Sequence, residues 1–484
     1  MKIIGRSREI DKLEHFCNRN QATFIAVYGR RRIGKTYLIR EFFEPRAQIK
    51  MCVTGEKKAP VQIQLQHFQV ELERSFYNGA RISPLKNWRA AFEQLTAAIK
   101  LSLKDPSIKE VLIFLDELPW LATRRSGLCA ALDHAWNTSL SLIPQLRLVI
   151  CGSAASWIIE NIIRDTGGLH NRLSASINLM PFTFAETKKY CAAKGIRFSS
   201  QELIEIFTCF GGVPFYLEHL QGEFSAAQNI DQLMFKDGEL KDEYPALLAA
   251  LYRNAKIHKA VIKALSTAPQ GLTRDLIAKL AKTTLGGGLS EILEELEAAG
   301  FIKAFSSYGY TERGTIYRLN DEFLTFYFHW IKKQKKGRLA QPSWIALRDT
   351  PAYYAWAGYA FESLILKHYS ELQKALGFAD VSCEVAPWRA PLGKSAAEAT
   401  SGCQIDLLYD RADGVITMCE LKHTKEPIKI TSELIAELNR KESIFRSYTK
   451  TKKRIQWAIV SNHKIPTHPK HQIKAVSTQE IFKD

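Results

Sequence analysis

The eight residues Gly29-Arg30-Arg31-Arg32-Ile33-Gly34-Lys35-Thr36 restrict this chain more than any other stretch. They match the spacing GxxxxGK[ST], follow the apolar run Thr23–Tyr28 (TFIAVY) and precede a segment of helical spacing. That strand–loop–helix context is the one in which the pattern holds phosphate. Glycines let the backbone curl so that successive N–H groups point inward, and the helix that follows adds its positive end. The cradle is then the loop from Gly29 through Arg30, Arg31, Arg32, Ile33 and Gly34. Lys35 is placed to reach terminal phosphates, and the Thr36 hydroxyl to ligate Mg2+.

Two more apolar runs, Val111–Leu115 (VLIFL) and Leu146–Ile150 (LRLVI), read as strands buried on both faces. Segments of helical spacing such as Trp88–Leu103 lie between the runs. The alternation predicts an α/β fold, a parallel sheet with helices on both faces. Asp116 and Glu117 follow the second run directly. Two acids beside a core cost free energy unless a cation or metal compensates them. Asp116 is therefore a candidate for holding the Mg2+, and Glu117 for orienting or deprotonating an attacking water. Ser153, just after the third run, either senses a γ-phosphate or merely ends the strand.

At 484 residues the chain has room for about three domains. Its 46% hydrophobic and 24% charged residues exclude a collagenous, low-complexity or mostly disordered chain. Lys and Arg number 67 against 50 Asp and Glu, a formal net charge of +17 that favours a polyanionic partner. Residues 251–350 are the most basic for their length. The nine cysteines are scattered without a CxxC pair, which suggests free thiols in a reducing compartment and neither a disulfide frame nor a zinc site. Met1–Arg6 has no apolar leader and no run approaches the roughly 18 residues of a membrane span, so a soluble cytoplasmic protein without a membrane partner is expected.

The pattern divides the chain into a phosphate-loop core (1–180), a helical lid (181–250), a third unit (251–330), a basic linker (331–350) and a C-terminal unit (351–484). Helix candidates Ala255–Ser266, Thr273–Ala281 and Ser290–Ala299, then strands Phe301–Phe305 and Thr315–Leu319, suggest a winged helix. Its candidate recognition helix, Gly288–Ala299, carries Glu291, Glu294, Glu295 and Glu297 and no Lys or Arg, a poor match to a phosphate-lined groove. Lys303, Arg313, Arg318 and the Lys332–Arg338 linker are basic. Either wing and linker touch nucleic acid or the unit packs internally.

The C-terminal unit opens with a helix candidate, Tyr353–Tyr369, and has strand candidates at Gln404–Tyr409, Val415–Leu421 and Ile455–Val460. Glu362 lies in the helix, Asp406 in the first strand, and Glu420 with Lys422 on one face of the second. Two or three carboxylates with a lysine suit metal-assisted phosphodiester hydrolysis. The alternative is a charged ladder on an exposed hairpin. The segment Trp388–Ser401 is rich in Ala and other small residues and is a candidate mobile loop near this pocket.

Gly5-Arg6-Ser7-Arg8-Glu9-Ile10, GRRRIGKT, LDELPW, GSAASW and Gly211-Gly212-Val213-Pro214-Phe215-Tyr216-Leu217 together resemble the archaeal-type ATPases of the STAND class, relatives of AAA+ proteins. The resemblance implies ATP as cofactor, Gly5 and Arg6 near the adenine, Pro214 against the base, and Arg172 as a phosphate-sensing or finger arginine. The family usually shows Tyr-Gly-Arg at that place, where this chain has His170-Asn171-Arg172. It also implies a winged helix and, last, an α/β restriction-endonuclease-like domain. The E…D…ExK pattern is similar to the PD-(D/E)XK nucleases, which implies Glu362, Asp406 and Glu420 as ligands of Mg2+ (or Mn2+), Lys422 as catalytic and Gln404 lining the site. Two functions follow. One is an ATP-hydrolysing protein coupled to a Mg2+-dependent nuclease, with DNA ahead of RNA as substrate. The other is a nucleotide-driven signalling or scaffold switch whose C-terminal domain binds without cutting. Kinship to AAA+ proteins implies homo-oligomers.

Overall fold

The alternation of the N-terminal half becomes a sheet whose faces can be read residue by residue. The computed structural model describes residues 3–123, 125–163, 169, 172–235, 238–252, 255–306, 308–309, 315–334, 343–390, 403–466 and 473–483. Strands β1 (Thr23–Tyr28), β2 (Ile49–Thr54), β3 (Val111–Asp116), β4 (Leu146–Gly152) and β5 (Ala175–Asn178) run parallel in the order β2-β3-β4-β1-β5. Alternate side chains enter opposite cores. Phe24 and Ala26 join Phe68, Trp88 and Leu132 on one face. Ile25 and Val27 join Leu13, Leu38 and Phe43 on the other. Helices Val61–Phe76, Trp88–Ser102 and Leu128–Thr138 cover the first face, and Ser7–Cys17 with Lys35–Phe43 the second. The register pairs Tyr28 with Gly152 and Thr54 with Asp116, so the C-terminal ends of β1, β3 and β4 share one rim. Ligands of open parallel sheets bind at such rims.

Helices Phe184–Ala193, Ser200–Phe210, Pro214–Glu218, Ala226–Ile230 and Glu243–Leu251 follow. Three of them start at capping boxes, Thr183 with Glu186, Ser199 with Glu202 and Ser225 with Gln228. Next come helices Lys256–Leu265, Arg274–Ala281 and Gly287–Ala298 with strands β6 (Leu272–Thr273), β7 (Ile302–Phe305) and β8 (Ile316–Leu319), antiparallel in the order β6-β8-β7. Helices Glu322–Phe326, Trp344–Leu347 and Pro351–Lys367 lead to a second five-stranded sheet. Its strands β9 (Cys383–Arg389), β10 (Gln404–Arg411), β11 (Val415–Lys422), β12 (Arg454–Ser461) and β13 (Lys474–Ser477) lie in sequence order. The first three are antiparallel and the last three parallel.

Helix Ser432–Thr449 covers one face of this sheet, burying Leu438 and Phe445 against Trp388 and Met418. The other face, with Leu407, Tyr409 and Val460, shares one continuous core with the helices after Phe182. In that core Trp344 meets Trp330 and Trp356 edge-on, and Phe482 stacks on Phe184 at 4.2 Å. Among the described residues no helix is long and apolar enough to cross a membrane. His170, Asn171, Arg313, residues 335–338 of the basic linker and 391–401 of the small-residue stretch lie outside the described residues.

The seam between the first sheet and the helices passes through Gly212. Phe182 N donates to Gly212 O at 2.6 Å, and a Cβ on Gly212 would lie 1.8 Å from Phe182 O. Gly212→Ala must therefore push backbone apart and should cost about 1–3 kcal/mol, the usual range of overpacking. A lowered denaturant midpoint checks this; an unchanged midpoint contradicts the close approach.

Candidate functional site

The loop after β1 is shaped by backbone that glycine tolerates. Gly29 and Gly34 have φ of 139° and 86°, and a Cβ on Gly29 would sit 2.2 Å from Leu179 O. Helix Lys35–Phe43 starts as the loop ends, so its first N–H groups face the rim. Lys35 is buried, and its Nζ donates to Gly29 O at 3.1 Å, Arg30 O at 2.8 Å and Ser153 Oγ at 3.1 Å. Thr36 Oγ1 donates to Asp116 Oδ2 at 2.8 Å. Glu117 N donates to Asp116 Oδ1 at 3.0 Å. Glu117 itself is left-handed, with φ 50°, and its carboxylate accepts from Ser153 N at 3.0 Å and from Ser153 Oγ.

Lys35, Ser153 and Glu117 thus form one polar chain across the rim, with Thr36 and Asp116 beside it. Two hard oxygen donors on adjacent elements fit Mg2+. A lysine over a helix N-terminus fits the phosphates it would accompany. Cys151 behind them stays a neutral thiol, its pKa pushed well up by burial and then by Asp116.

The loop arginines divide their roles between backbone and side chain. Arg30 lines the cradle through its carbonyl, while its guanidinium forms a buried ion pair with Asp321, lies 5.3 Å from the Phe301 ring and reaches Tyr216 Oη at 3.5 Å. Asp321 also caps helix Glu322–Phe326, accepting from Leu324 N at 2.8 Å. Arg32 pairs with Glu243 at 3.0 Å and stacks 3.7 Å over Phe215. Arg31 is half-buried and Ile33 buried. The sequence assigned Arg30 and Arg32 to nucleotide alone, missed Asp321 and Glu243, and quoted Tyr216 without a role. The usable signal was that arginines sunk beside a core need carboxylates.

Arg6 is buried and donates to Ile33 O at 3.0 Å and Met180 O at 2.5 Å, with its guanidinium 4.4 Å over Phe182. Glu186 Oε1 accepts from Arg6 N at 2.7 Å. It would also lie 2.9 Å from a Cβ on Gly5, whose φ is +68°. Gly5 and Arg6 therefore brace the loop from behind. Pro214 opens helix Pro214–Glu218, and the next residue, Phe215, donates its N–H to Arg32 O at 3.4 Å. Arg172 is exposed.

A second polar cluster lies in the C-terminal sheet. Pairing of Leu407 with Cys419 carries Asp406 alongside Glu420. Asp406 Oδ2 accepts from Leu421 N at 3.0 Å, and Oδ1 from Gln404 Nε2 at 3.4 Å. Gln404 Oε1 accepts from Arg389 Nε at 3.1 Å. Glu420 pairs with Lys422 at 2.8 Å and Lys441 at 2.7 Å. Glu362 pairs with Arg318 of β8 at 2.8 Å, both side chains buried or nearly so.

Burial, then the charges of Glu420 and Glu362, pushes the Asp406 carboxyl up to about 7. Burial pulls the Lys422 ammonium down, but Glu420 outweighs it and the pKa is raised. The structure thus gathers Glu362, Asp406, Glu420, Lys422 and Gln404, and adds Arg389 and Lys441, which the sequence did not single out, and Arg318, which it marked only as a basic residue of the wing. It does not open a cage. Among the described residues no group of three or more His, Cys, Asp or Glu side chains is arranged to hold a metal ion. Of the expected ligand set, Glu362 and Glu420 are engaged by protein cations and Asp406 by a backbone amide.

Residues 3–220 match the family described as an ATPase domain predominantly from Archaea. An uncharacterized protein of Methanocaldococcus jannaschii is 23% identical over 385 residues, covering 77% of this chain and 78% of the relative. An uncharacterized ATP-binding protein of the same organism is 49% identical over 42 residues, 9% of this chain and 71% of that protein. Among solved structures, the Walker-type ATPase of Pyrococcus abyssi aligns with a TM-score of 0.45 and 18% identity, over 67% of this chain and 96% of that one.

Removing the ammonium at the centre of the rim should weaken phosphate binding first. Lys35→Met is expected to lose at least about tenfold in ATP affinity, ~1.4 kcal/mol or more. Titration with a fluorescent ATP analogue measures it, and parental affinity would show that Lys35 does not face the phosphates.

Proposed function

We propose that the chain is an ATP-hydrolysing switch governing a Mg2+-dependent phosphodiesterase pocket that acts on DNA, a reading that starts from the match of residues 3–220 to an ATPase domain family found predominantly in Archaea. The single observation that carries the first half is the polar chain Lys35–Ser153–Glu117 beside the Thr36–Asp116 pair. Bound there, ATP with Mg2+ supplies the labile phosphoanhydride. Thr36 and Asp116 would hold the ion, and Lys35 the terminal phosphates. Glu117 orients the water and takes its proton as the water oxygen bonds to the γ-phosphorus; the bond to the β–γ bridging oxygen breaks and ADP leaves. Ser153 holds the Glu117 carboxylate toward the rim, which suits it to report on the γ-phosphate.

The switch reading rests on the arginines. Arg30 and Arg32 belong to the loop by backbone and to other elements by side chain, through Asp321 and Glu243. Phosphate held by the cradle therefore bears on the helical lid and on the helices and strands of residues 256–319. We read the latter as a winged helix used for internal docking. Its helix Gly287–Ala298 carries Glu291, Glu294, Glu295 and Glu297, while Phe301 and Asp321 meet Arg30. Gly5, Arg6 and Pro214 flank the loop on the side proposed for adenine.

The output half is supported by Asp406, Glu420 and Lys422 on paired strands with Glu362 opposite. The net charge of +17 favours a polyanion. A second reading, a scaffold switch that binds nucleic acid or a partner without cutting, is favoured by the cations already on those carboxylates.

Glu117→Gln should slow ATP hydrolysis by about a hundredfold or more while sparing nucleotide affinity. A parental rate in a phosphate-release assay removes Glu117 from the mechanism. Asp406→Ala should abolish Mg2+- or Mn2+-dependent nicking of plasmid DNA and leave ATPase intact. If the parental protein does not nick DNA but changes oligomeric state with ATP, the scaffold reading replaces the nuclease.

A further inference from the structure

The turn after β2 carries a lysine that lies outside the phosphate-loop pattern. Thr54 ends β2 opposite Asp116 of β3, and Gly55 N donates to Asp116 O at 2.9 Å. Gly55 packs so closely on the next turn that a Cβ there would lie 2.7 Å from Glu117 O. Glu56 is pinned by Gln64, a fully buried side chain. Glu56 N donates to Gln64 Oε1 at 3.1 Å, while Gln64 Nε2 donates to Glu56 O at 2.7 Å and to Trp120 O at 3.2 Å. A buried amide that satisfies backbone groups of two turns fixes those turns relative to each other. Lys57 comes next, so its backbone is held on the Glu117 side of the rim.

The ammonium of Lys57 reaches helix Glu243–Leu251, where it donates to Ala249 O at 2.5 Å. That carbonyl belongs to the last turn, whose C=O groups lack partners within the helix and carry the negative end of its dipole. The first residue of the same helix, Glu243, is tied to the phosphate loop by Arg32 at 3.0 Å. At about 1.5 Å per residue the two ties lie roughly 9 Å apart along the helix. The helix thus spans from the loop to the Glu117 side, with a cation of the first sheet's rim at each end. Arg31 acts on both ties. Burial raises the Glu243 carboxyl, and Arg32 and then Arg31 draw it back. Burial, then Lys58 and Arg31, pulls the Lys57 ammonium below its usual value, and Glu117 offsets part of this. Cations gathered this closely favour a polyanion among them.

We infer that Lys57 is a cation for the γ-phosphate of ATP, and that the Ala249 carbonyl holds its ammonium until a triphosphate takes it over. The inference rests on the ATP-hydrolysing reading and adds one residue to that same site. Lys57 forms no covalent bond and gives up no proton. Its charge faces the negative charge spread over the γ-phosphoryl oxygens while Glu117 takes the proton of the attacking water, the part a finger cation plays in phosphoryl transfer. ADP lacks the group that Lys57 reads, so the effect falls on the triphosphate alone. Transfer of the ammonium from Ala249 O to phosphate also unties one end of helix Glu243–Leu251, with the Arg32–Glu243 pair still closed at the other.

The test titrates the full chain with fluorescent analogues of ATP and of ADP and follows phosphate release beside them. Lys57→Met should weaken ATP binding by at least about tenfold, leave ADP binding within about twofold of the parent, and slow phosphate release at saturating ATP by at least about tenfold. Lys57→Arg, which keeps a cation, should recover most of the preference for ATP. Lys57→Gln serves in place of methionine where thermal melting shows that methionine unfolds the chain. Glu243→Gln, which unties the helix at its other end, should keep the parental ratio of ATP to ADP affinity. Equal losses of ATP and ADP in the Lys57 variants reduce the lysine to a structural tie and overturn the role. A Glu243→Gln protein that copies the ATP-selective loss overturns it as well, because the helix and not the ammonium would then set the preference. A parental protein that binds neither nucleotide ends the ATP-hydrolysing reading itself, whereas a parent that binds both, with Lys57→Met unchanged, ends only the role of Lys57.

Discussion

The ion pair between Arg30 and Asp321 is the constraint on which the arrangement turns. Both side chains are almost completely buried, at 3% and 1% exposure. Two charges removed from water repay their desolvation only through each other and through further hydrogen bonds. Loss of one partner of such a pair costs about 3–5 kcal/mol. Here the further bonds are in place, since Asp321 also caps a helix and Arg30 also meets Tyr216 and Phe301. The loop after β1 is therefore cross-linked, by charge, to residues far beyond the sheet that carries it.

The rim has its own internal logic. Ser153 stands between a cation and an anion, accepting from Lys35 and donating to Glu117. A hydroxyl in that position keeps the two charges from collapsing onto each other. The left-handed backbone of Glu117, φ 50° and ψ 49°, is an uncommon conformation for a residue with a side chain. It turns the chain sharply after β3, so that Asp116 faces Thr36 while Glu117 faces Ser153.

Much of this was legible in the sequence, and what was not has a physical reason. Strands β1, β3 and β4 announced themselves because they are central and apolar on both faces. β2 and β5 are edge strands with polar residues among their apolar ones, Lys50 and Thr54 in one, Ser176 and Asn178 in the other, and they left no clear run. β6 is two residues long and falls below any pattern. The phosphate loop fixed Lys35, Thr36, Asp116 and Ser153 near one another because backbone spacing and strand order suffice to do so. Side-chain pairings across long separations, Arg30 with Asp321 and Arg318 with Glu362, obey no spacing rule. The acids of the C-terminal strands could be gathered from their register, but nothing in their order said that cations from elsewhere in the chain would already occupy them.

The stacking of Phe482 on Phe184 has a bearing on how the molecule reaches its native state. The two cores of the first sheet are closed by residues from its own stretch of chain. The third core draws on Phe182 at one extreme and Phe482 at the other. Contacts of such sequence separation form late, because loop closure must be paid in entropy before packing returns it. The helices after the first sheet therefore bury their apolar faces in full only where the second sheet packs against them. Phe184, His368 and Phe482 are where the far end of the chain is fastened back onto that core, so a loss of ring packing there loosens both sides of it at once.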